Sequence, residues 1–279
     1  MGEKSVSEDA LGQMAYLARS RNRLDILETL ATGPHTPREI EEATGASRST
    51  LERIVAELVR RGWAERTNDG EYVLTDTGEH VAAETGRYVG ALEAIATLGD
   101  AVGWLPTDEL TVGLHRFRDA TVLTPERNDV AAADTRIVER MRESDEFACL
   151  SNTAGTVGLE TTMMEGFTEG RLTVENVITP GELDVYRDDP KRAARWEAYV
   201  EAGADVYCYR ARIPCNVILT DEAVFLGDRH LETVGVIEST DDAVRAWAEA
   251  VIERHRNDAE RLAPSDFGAL ASTTREPSG

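Results

Sequence analysis

The sequence predicts an α+β chain in two parts: a small helical unit closed by a β-hairpin, and, after a helical connector, a larger α/β domain. Three observations carry this expectation. Between residues 24 and 58 apolar residues recur at helical spacing, in runs opened by capping residues and ended by glycine. Then "WAERTNDGEYVLTD" sets two short runs around an Asn-Asp-Gly turn. From residue 147 onward, short apolar runs alternate with amphipathic stretches, as in the strand-helix units of one sheet.

In the first run, "RNRLDILETLA", Leu24, Ile26, Leu27 and Leu30 form the buried stripe of a helix, and "GPH" breaks it. Thr36 is placed to cap the next helix, with Pro37 at its first position and Glu39 completing a capping box. Ile40 and Ala43 are expected to face inward, and "TGA" makes the tight turn. Ser47 caps a third helix whose stripe is Leu51, Ile54, Val55 and Leu58, and Gly62 ends it. Three helices and a hairpin over residues 18–76 make a winged helix-turn-helix; residues 1–17 read as loosely ordered or disordered chain.

The chain carries 52 acidic and 30 basic residues, a net charge of -22 over 279 residues. Of the basic residues, 28 are Arg and only Lys4 and Lys191 are Lys. Such an acidic, lysine-poor composition resembles that of proteins from salt-loving archaea, whose carboxylates hold water, and it speaks to solubility rather than fold. Nucleic acid repels an acidic protein, yet residues 19–66 contain nine Arg against eight acids, so this segment is +1 and the remainder -23. A face for double-stranded DNA fits there. Arg48, Ser49, Thr50 and Arg53 open the third helix opposite its apolar stripe, where a recognition helix meets bases and phosphates. Arg66 and Asn68, near the hairpin tip, are candidates for backbone or minor-groove contact. Arg60 and Arg61 either join them or simply favour the helix dipole.

Residues 36–79, "TPREIEEATGASRSTLERIVAELVRRGWAERTNDGEYVLTDTGE", resemble the MarR/ArsR-like winged-helix regulators of archaea and bacteria. The resemblance implies a DNA-binding transcriptional regulator; the other use of the fold is a module that docks to protein, such as the transcription machinery, and binds no DNA. Residues 77–103 read as a linking helix. Val81, Tyr88, Ile95 and Val102 repeat every seven residues, with Leu92 and Leu98 beside them, a seam that fits a partner helix and predicts a homodimer, the alternative being packing within the chain's own core. Gly86, Gly90 and Gly99 weaken this helix and argue against a long coiled coil.

Residues 104–262 form the predicted α/β domain, with strands at 147–152, 172–179, 204–210 and 216–227 and helices at 156–170, 182–203 and 241–262. The sheet is expected to be largely parallel or mixed, and residues 263–279 are read as a disordered tail. Cys149, Cys208 and Cys215 sit in apolar runs without a CxxC or Cys/His spacing, so buried reduced thiols and no metal are expected, a thiol sensor or metal site being the alternative. No apolar run reaches the length of a membrane span and the first ten residues lack a signal-peptide core, which predicts a cytoplasmic protein.

The runs "WLPTDELTVGLHRFRDATVL", "RIPCNVILTDEAVFLGDRH" and "VIESTDDAVRAWAEAVIERHRNDAE" resemble archaeal winged-helix regulators related to the methanogenesis (filament) regulatory protein, over roughly residues 18–262. The resemblance implies a sensor domain whose sheet and covering helices are similar to phospholipase D-like proteins, with a degenerate active site. Those hydrolases use a His nucleophile, a Lys two residues on and an Asp five further. Aligned on Asp221, this chain has Pro214 and Asn216 in the first two places, and neither can attack or bind phosphate as required. GxSxG, HExxH, GxGxxG and the P-loop are absent, so no catalytic role and no cofactor are expected. Ligands of open α/β sheets gather at the carboxyl ends of strands. Ser151, Asn152 and Thr153 follow the first strand, Thr179 the second, and Arg210 and Arg212 the third. The two arginines suit a small anionic effector, a carboxylate or phosphate, unless neighbouring acids already pair with them.

Overall fold

The computed structural model describes residues 7–125, 131–227 and 235–268, and the chain divides into two compact units at the Val89–Gly90 bond. The N-terminal unit holds α1 (Glu8–Ala18), α2 (Arg21–Ala31), α3 (Pro37–Thr44), α4 (Arg48–Arg60), the antiparallel pair β1 (Ala64–Arg66) and β2 (Tyr72–Leu74), and the beginning of α5 (Asp76–Leu98). The element order resembles that of a winged helix. Its core joins Ile26, Leu27 and Leu30 of α2, Ile40 of α3, the four apolar residues of the α4 stripe, Trp63 and Leu74.

Local signals account for the boundaries. The Thr36 hydroxyl accepts from the Glu39 amide while the Glu39 carboxylate accepts from the Thr36 amide, and Gly45 ends α3 at φ 66°, a left-handed turn that glycine adopts without strain. Ile40 is buried, but Ala43 is exposed, contrary to expectation, because the eight-residue α3 turns only its Ile40 side into the core. Residues 8–18 form the helix α1 where loose chain is expected. Ser7 caps it, Leu17 enters the core, and the Tyr16 ring lies under the guanidinium groups of Arg23 and Arg61, each 4.1 Å from its centroid. Residues 1–6 lie outside the described residues.

Gly78 begins α5 against the backbone of Trp63: a Cβ there would stand 1.8 Å from the Trp63 carbonyl oxygen. Backbone cannot step aside as a side chain can. Gly78→Ala is therefore expected to destabilise the N-terminal unit by about 1–3 kcal/mol, the range for overpacking. A urea titration with an unchanged midpoint would contradict this close packing.

Helix α5 ends at Leu98 instead of continuing to residue 102, since Gly99 turns at φ 53° and a 3-10 turn follows over Gly99–Trp104. The C-terminal unit then contains β3 (Thr121–Leu123), α6 (Ala132–Arg142), β4 (Glu146–Ser151), α7 (Val157–Thr168), β5 (Thr173–Ile178), α8 (Pro180–Asp188), α9 (Pro190–Glu201), β6 (Asp205–Cys208), β7 (Asn216–Thr220), β8 (Val224–Gly227), β9 (Val236–Ser239), α10 (Asp242–Asn257) and β10 (Glu260–Arg261). These strands form one sheet in the order β10-β6-β5-β4-β7-β8-β9-β3. Only β4, β5 and β6 run parallel to one another; every other pairing is antiparallel, so the sheet is mixed.

Alternation along the strands divides two cores. Phe147 and Cys149 of β4 turn toward α6–α9, while Leu150, one residue further, joins the core beneath α10 with Val217, Trp247 and Val251. All three cysteines are buried and none forms a disulfide. The expected helix over 182–203 is broken at Asp189, whose extended backbone (φ -107°, ψ 107°) is what a following proline favours. Its carboxylate then caps α9 by accepting from the Lys191 and Arg192 amides. The helix expected to reach residue 262 stops at Asn257, and residues 260–261 pair with β6 as an edge strand. The tail is ordered at its start: Pro264–Phe267 forms a 3-10 turn and the Phe267 ring is fully buried, stacked 5.7 Å from Trp196. The rest of the tail, residues 269–279, and residues 228–230 of the resemblance lie outside the described residues.

Helix α6 is tied to the sheet by charge. Glu238 of β9 is buried, and its two oxygens accept from Arg136 Nε (2.8 Å) and Arg140 Nε (2.9 Å), residues four apart on one face of α6. Burial alone would raise the Glu238 pKa, but the two arginines outweigh it and hold the carboxyl below its usual range.

A candidate nucleic-acid interface and a cavity in the sheet domain

Ser47 starts α4 by accepting from the Thr50 amide, which fixes the direction of the first turn. With Leu51, Ile54, Val55 and Leu58 buried, the opposite face presents Arg48, Ser49, Glu52 and Arg53 to solvent. Arg48 is not unpartnered: its Nε lies 3.1 Å from Glu52 one turn on. Thr50 is half-buried and its hydroxyl accepts from Ser47, so it belongs to the cap more than to the open face. Arg53 is exposed and makes no ion pair or hydrogen bond among the described residues. On the hairpin, Arg66 and Asn68 are exposed; the Arg66 guanidinium lies over the Tyr72 ring at 5.7 Å.

Arg60 and Arg61 both bind Glu57, and their hydrogen bonds, Arg60's foremost, hold that carboxyl below its usual range. Arg61 is half-buried across the Tyr16 and Trp63 rings, a packing role that explains its position without a ligand.

In the C-terminal unit a cavity of about 320 Å³ lies between the sheet and the helices α6–α9, at the carboxyl end of β4. Its walls are mainly apolar: Ile137, Phe147, Met163, Ile218 and Phe225. Ser151 and Thr153 line it, as expected from their place after the first strand. Asn152 instead donates its amide to Asn216 Oδ1 (2.8 Å), and Thr179 precedes α8 outside the lining. Arg210 and Arg212 do not reach the cavity. They follow β6, beside the edge strand; Arg210 is exposed and paired with Glu260 of β10 at 2.8 Å, and Arg212 is exposed. Among the described residues the cavity lining holds no Arg, Lys or His. Its carboxylates are Asp134, Glu160 and Glu182.

Glu182 comes from the first turn of α8 and is 2% exposed. One oxygen accepts from Ser151 Oγ (2.7 Å) and the other from the Tyr186 hydroxyl. Burial pushes its pKa up to about 7 against these two hydrogen bonds. Glu160, equally buried on α7, differs in having cationic partners, Arg192 and Arg195 of α9. The Cys149 thiol donates to Asn176 Oδ1 (3.2 Å), and burial raises its pKa far above the usual thiol range. Trp196 also lines the cavity, and among the described residues its buried Nε1 has no hydrogen-bond partner. Asp221, the residue aligned with a catalytic aspartate, accepts from the Asp145 and Glu146 amides and so ties the β7–β8 turn to the start of β4.

Glu160, Glu182, Tyr186, Arg192 and Trp196 were not singled out from sequence. The one local signal was Glu182 followed four residues later by Tyr186, one helical turn apart.

Comparison with known proteins finds family models matching two stretches of the chain. Residues 11–97 match the family described as HVO_A0261 N-terminal domain. Residues 130–258 match the middle domain of the methanogenesis regulatory protein FilR1. Together the two matches support a transcriptional regulator of archaeal type. No curated protein matches the chain. Among solved structures, TrmBL2, an archaeal chromatin protein, is 16% identical, with 92% of this chain and 100% of that one covered, at a TM-score of 0.42. ZitR of Lactococcus lactis, as its E41A mutant, is 18% identical over 35% of this chain and 86% of its own, with a TM-score of 0.26. The O-methyltransferase NcsB1 of neocarzinostatin biosynthesis is 17% identical over 74% of this chain and 86% of its own, with a TM-score of 0.25. At TM-scores this low the likenesses carry no argument about function. No described helix is long and apolar enough to cross a membrane.

Proposed function

We propose that the chain is a sequence-specific, DNA-binding transcriptional regulator, with a winged helix that grips DNA and a sheet domain that takes a small ligand. The observation that carries this reading is the open face of α4, where Arg48, Ser49 and Arg53 stand exposed opposite a buried stripe. The match of residues 130–258 to a regulatory protein's middle domain supports the second half. The ligand is assigned to the cavity under α6–α9 and not to Arg210 or Arg212. The reading gives the chain no catalytic step; the sheet domain is taken as a phospholipase D-like scaffold put to binding. Selection of duplexes by the full chain from a random pool tests it. A recurring bound sequence is expected, and a chain that retains no duplex at any salt concentration overturns the reading in favour of a protein-docking module.

The regulator is further proposed to act as a homodimer through α5. Tyr88, Leu92 and Ile95 lie at spacings of four and three on that helix and are 56%, 50% and 42% exposed. Val81, Leu98 and Val102 of the expected seam pack instead into cores of the same chain, so the face offered to a second copy is Tyr88, Leu92 and Ile95. Light scattering in molar potassium chloride is expected to give a dimer, and Ile95→Glu or Tyr88→Glu to give a monomer at the same concentration. A wild-type monomer across the micromolar range removes the dimer. The bound sequence is then expected to be palindromic.

A further inference from the structure

The cavity beneath α6–α9 has a chemistry that its surroundings leave unfinished. Glu160 is paired with two arginines, whereas among the described residues Glu182 hydrogen-bonds only to neutral hydroxyls, those of Ser151 and Tyr186, and feels Arg192 at longer range. A carboxylate offers about four acceptor positions, and two of those on Glu182 are taken. The remaining carboxylate of the lining, Asp134, is half-buried and adds negative charge to the same space. Trp196 presents the converse deficit: an indole N–H, buried on a cavity-lining ring, with no acceptor among the described residues. Buried polar groups are normally satisfied, so the unpartnered indole N–H points to a guest, and the spare acceptor positions of Glu182 leave room for a donor on it. Among the described residues of the lining no cation would offset the charge of an anion, and Glu182 and Asp134 would repel it.

We infer that this cavity binds a small, mainly apolar molecule carrying a protonated amine, with the ammonium donating to Glu182 and the apolar body lying among Ile137, Phe147, Met163 and Phe225. A hydroxyl or carbonyl on the same molecule would serve the Trp196 indole. This rests on the reading of the sheet domain as a ligand-binding domain, and it narrows that reading to one chemical class. Charge-assisted hydrogen bonds in a water-poor site are the strong ones, so the amine should dominate recognition.

The titration of Glu182 gives the sign of the pH effect. The groups facing it are Ser151 and Cys149 of β4, Tyr186 on its own helix, Glu160 of α7 and Arg192 of α9. Of these, Glu160 and Arg192 stay paired with each other. With its pKa raised by burial to about 7, Glu182 gains charge between pH 6 and 8, and affinity for a cation should rise across that interval.

Three probes of nearly equal size separate the outcomes: phenethylamine, 2-phenylethanol and phenylacetate, titrated calorimetrically into the full chain. The amine is expected to bind at least roughly tenfold more tightly than the alcohol, as a charge-assisted bond warrants, and the acid not measurably. Its affinity should rise from pH 6 to pH 8. Glu182→Gln, which keeps the volume and one acceptor oxygen while its amide nitrogen donates to the other hydroxyl, should bring the amine down to the level of the alcohol and change the alcohol far less. If the alcohol or the acid binds as well as the amine, the amine class is wrong while the cavity remains a ligand site. If none of the three binds, the ligand-binding reading of the domain falls with it. The comparison of probes on the unmodified chain holds even if the variant does not fold.

Discussion

Arg192→Ala is expected to destabilise the C-terminal unit by about 3–5 kcal/mol, the cost of stranding a buried charge by removing its partner. Glu160 is 1% exposed and depends on Arg192, whose Nε lies 3.0 and 3.2 Å from its two oxygens. Burial works against the guanidinium charge, and Glu160 more than compensates. The same side chain donates to the Gly155 carbonyl at 2.6 Å and lies over the Tyr186 ring at 4.8 Å, so its loss also removes support from two residues that line the cavity. Arg195 remains, but with a single contact of 3.2 Å to Glu160 and its own Nε unpartnered among the described residues. Urea denaturation followed by near-ultraviolet circular dichroism, which reports the Trp196–Tyr186–Phe267 stack, measures the loss. A change below about 1 kcal/mol would put this cluster in the class of surface ion pairs and refute the assignment.

Arg53→Ala is expected to lower discrimination between the selected sequence and a scrambled duplex by about 1–3 kcal/mol per half-site, the worth of one good bidentate base contact. In concentrated salt the release of counterions, which ordinarily drives affinity, is largely spent, and the N-terminal segment of charge +1 has little to gain from it. Direct contacts must then carry recognition. Arg53 is the better placed of the two arginines because it has no competing carboxylate; Arg48 must first leave Glu52, a weak exposed pairing one turn away. Arg48→Ala is thus expected to reduce discrimination less than Arg53→Ala. Arg66→Ala should weaken both duplexes alike and flatten the salt dependence by about one phosphate, a slope change near 0.9. Titrations of the three variants on both duplexes at several salt concentrations decide the matter. A specificity ratio untouched by Arg48→Ala and Arg53→Ala together would mean that α4 is not the recognition helix.

What could be read in the sequence was whatever local chemistry dictates. The capping box at Thr36 and Glu39, the left-handed Gly45, the α4 stripe and the hairpin about residues 67–70 all follow from neighbours within a few positions. The short strands β3 and β9 and the polar helix α6 were not legible. Their stability comes from partners about a hundred residues away, Glu238 with Arg136 and Arg140 foremost. Phe267 looked like part of a disordered tail because its reason for order, the Trp196 ring, lies 71 positions earlier. The cavity is the same case. Ser151 and Thr153 were accessible through the rule that ligands sit at carboxyl ends of strands. Glu182 and Trp196 acquire meaning only when α8 and α9 close over β4 and β5, and no spacing announces a carboxylate whose partners are hydroxyls from other elements.

The placement of the three cysteines has a kinetic consequence. All lie in the C-terminal unit and are at most 8% exposed, and burial raises the pKa of Cys149 and Cys208, so the native thiols are poor nucleophiles. The N-terminal unit contains none. An alkylating reagent therefore reacts only with molecules whose sheet domain has opened. Where reclosing outruns alkylation, the labelling rate is the intrinsic thiol rate multiplied by the opening equilibrium constant of that one unit. Alkylation thus times the breathing of the sheet domain in the intact chain, while the N-terminal unit remains silent to it.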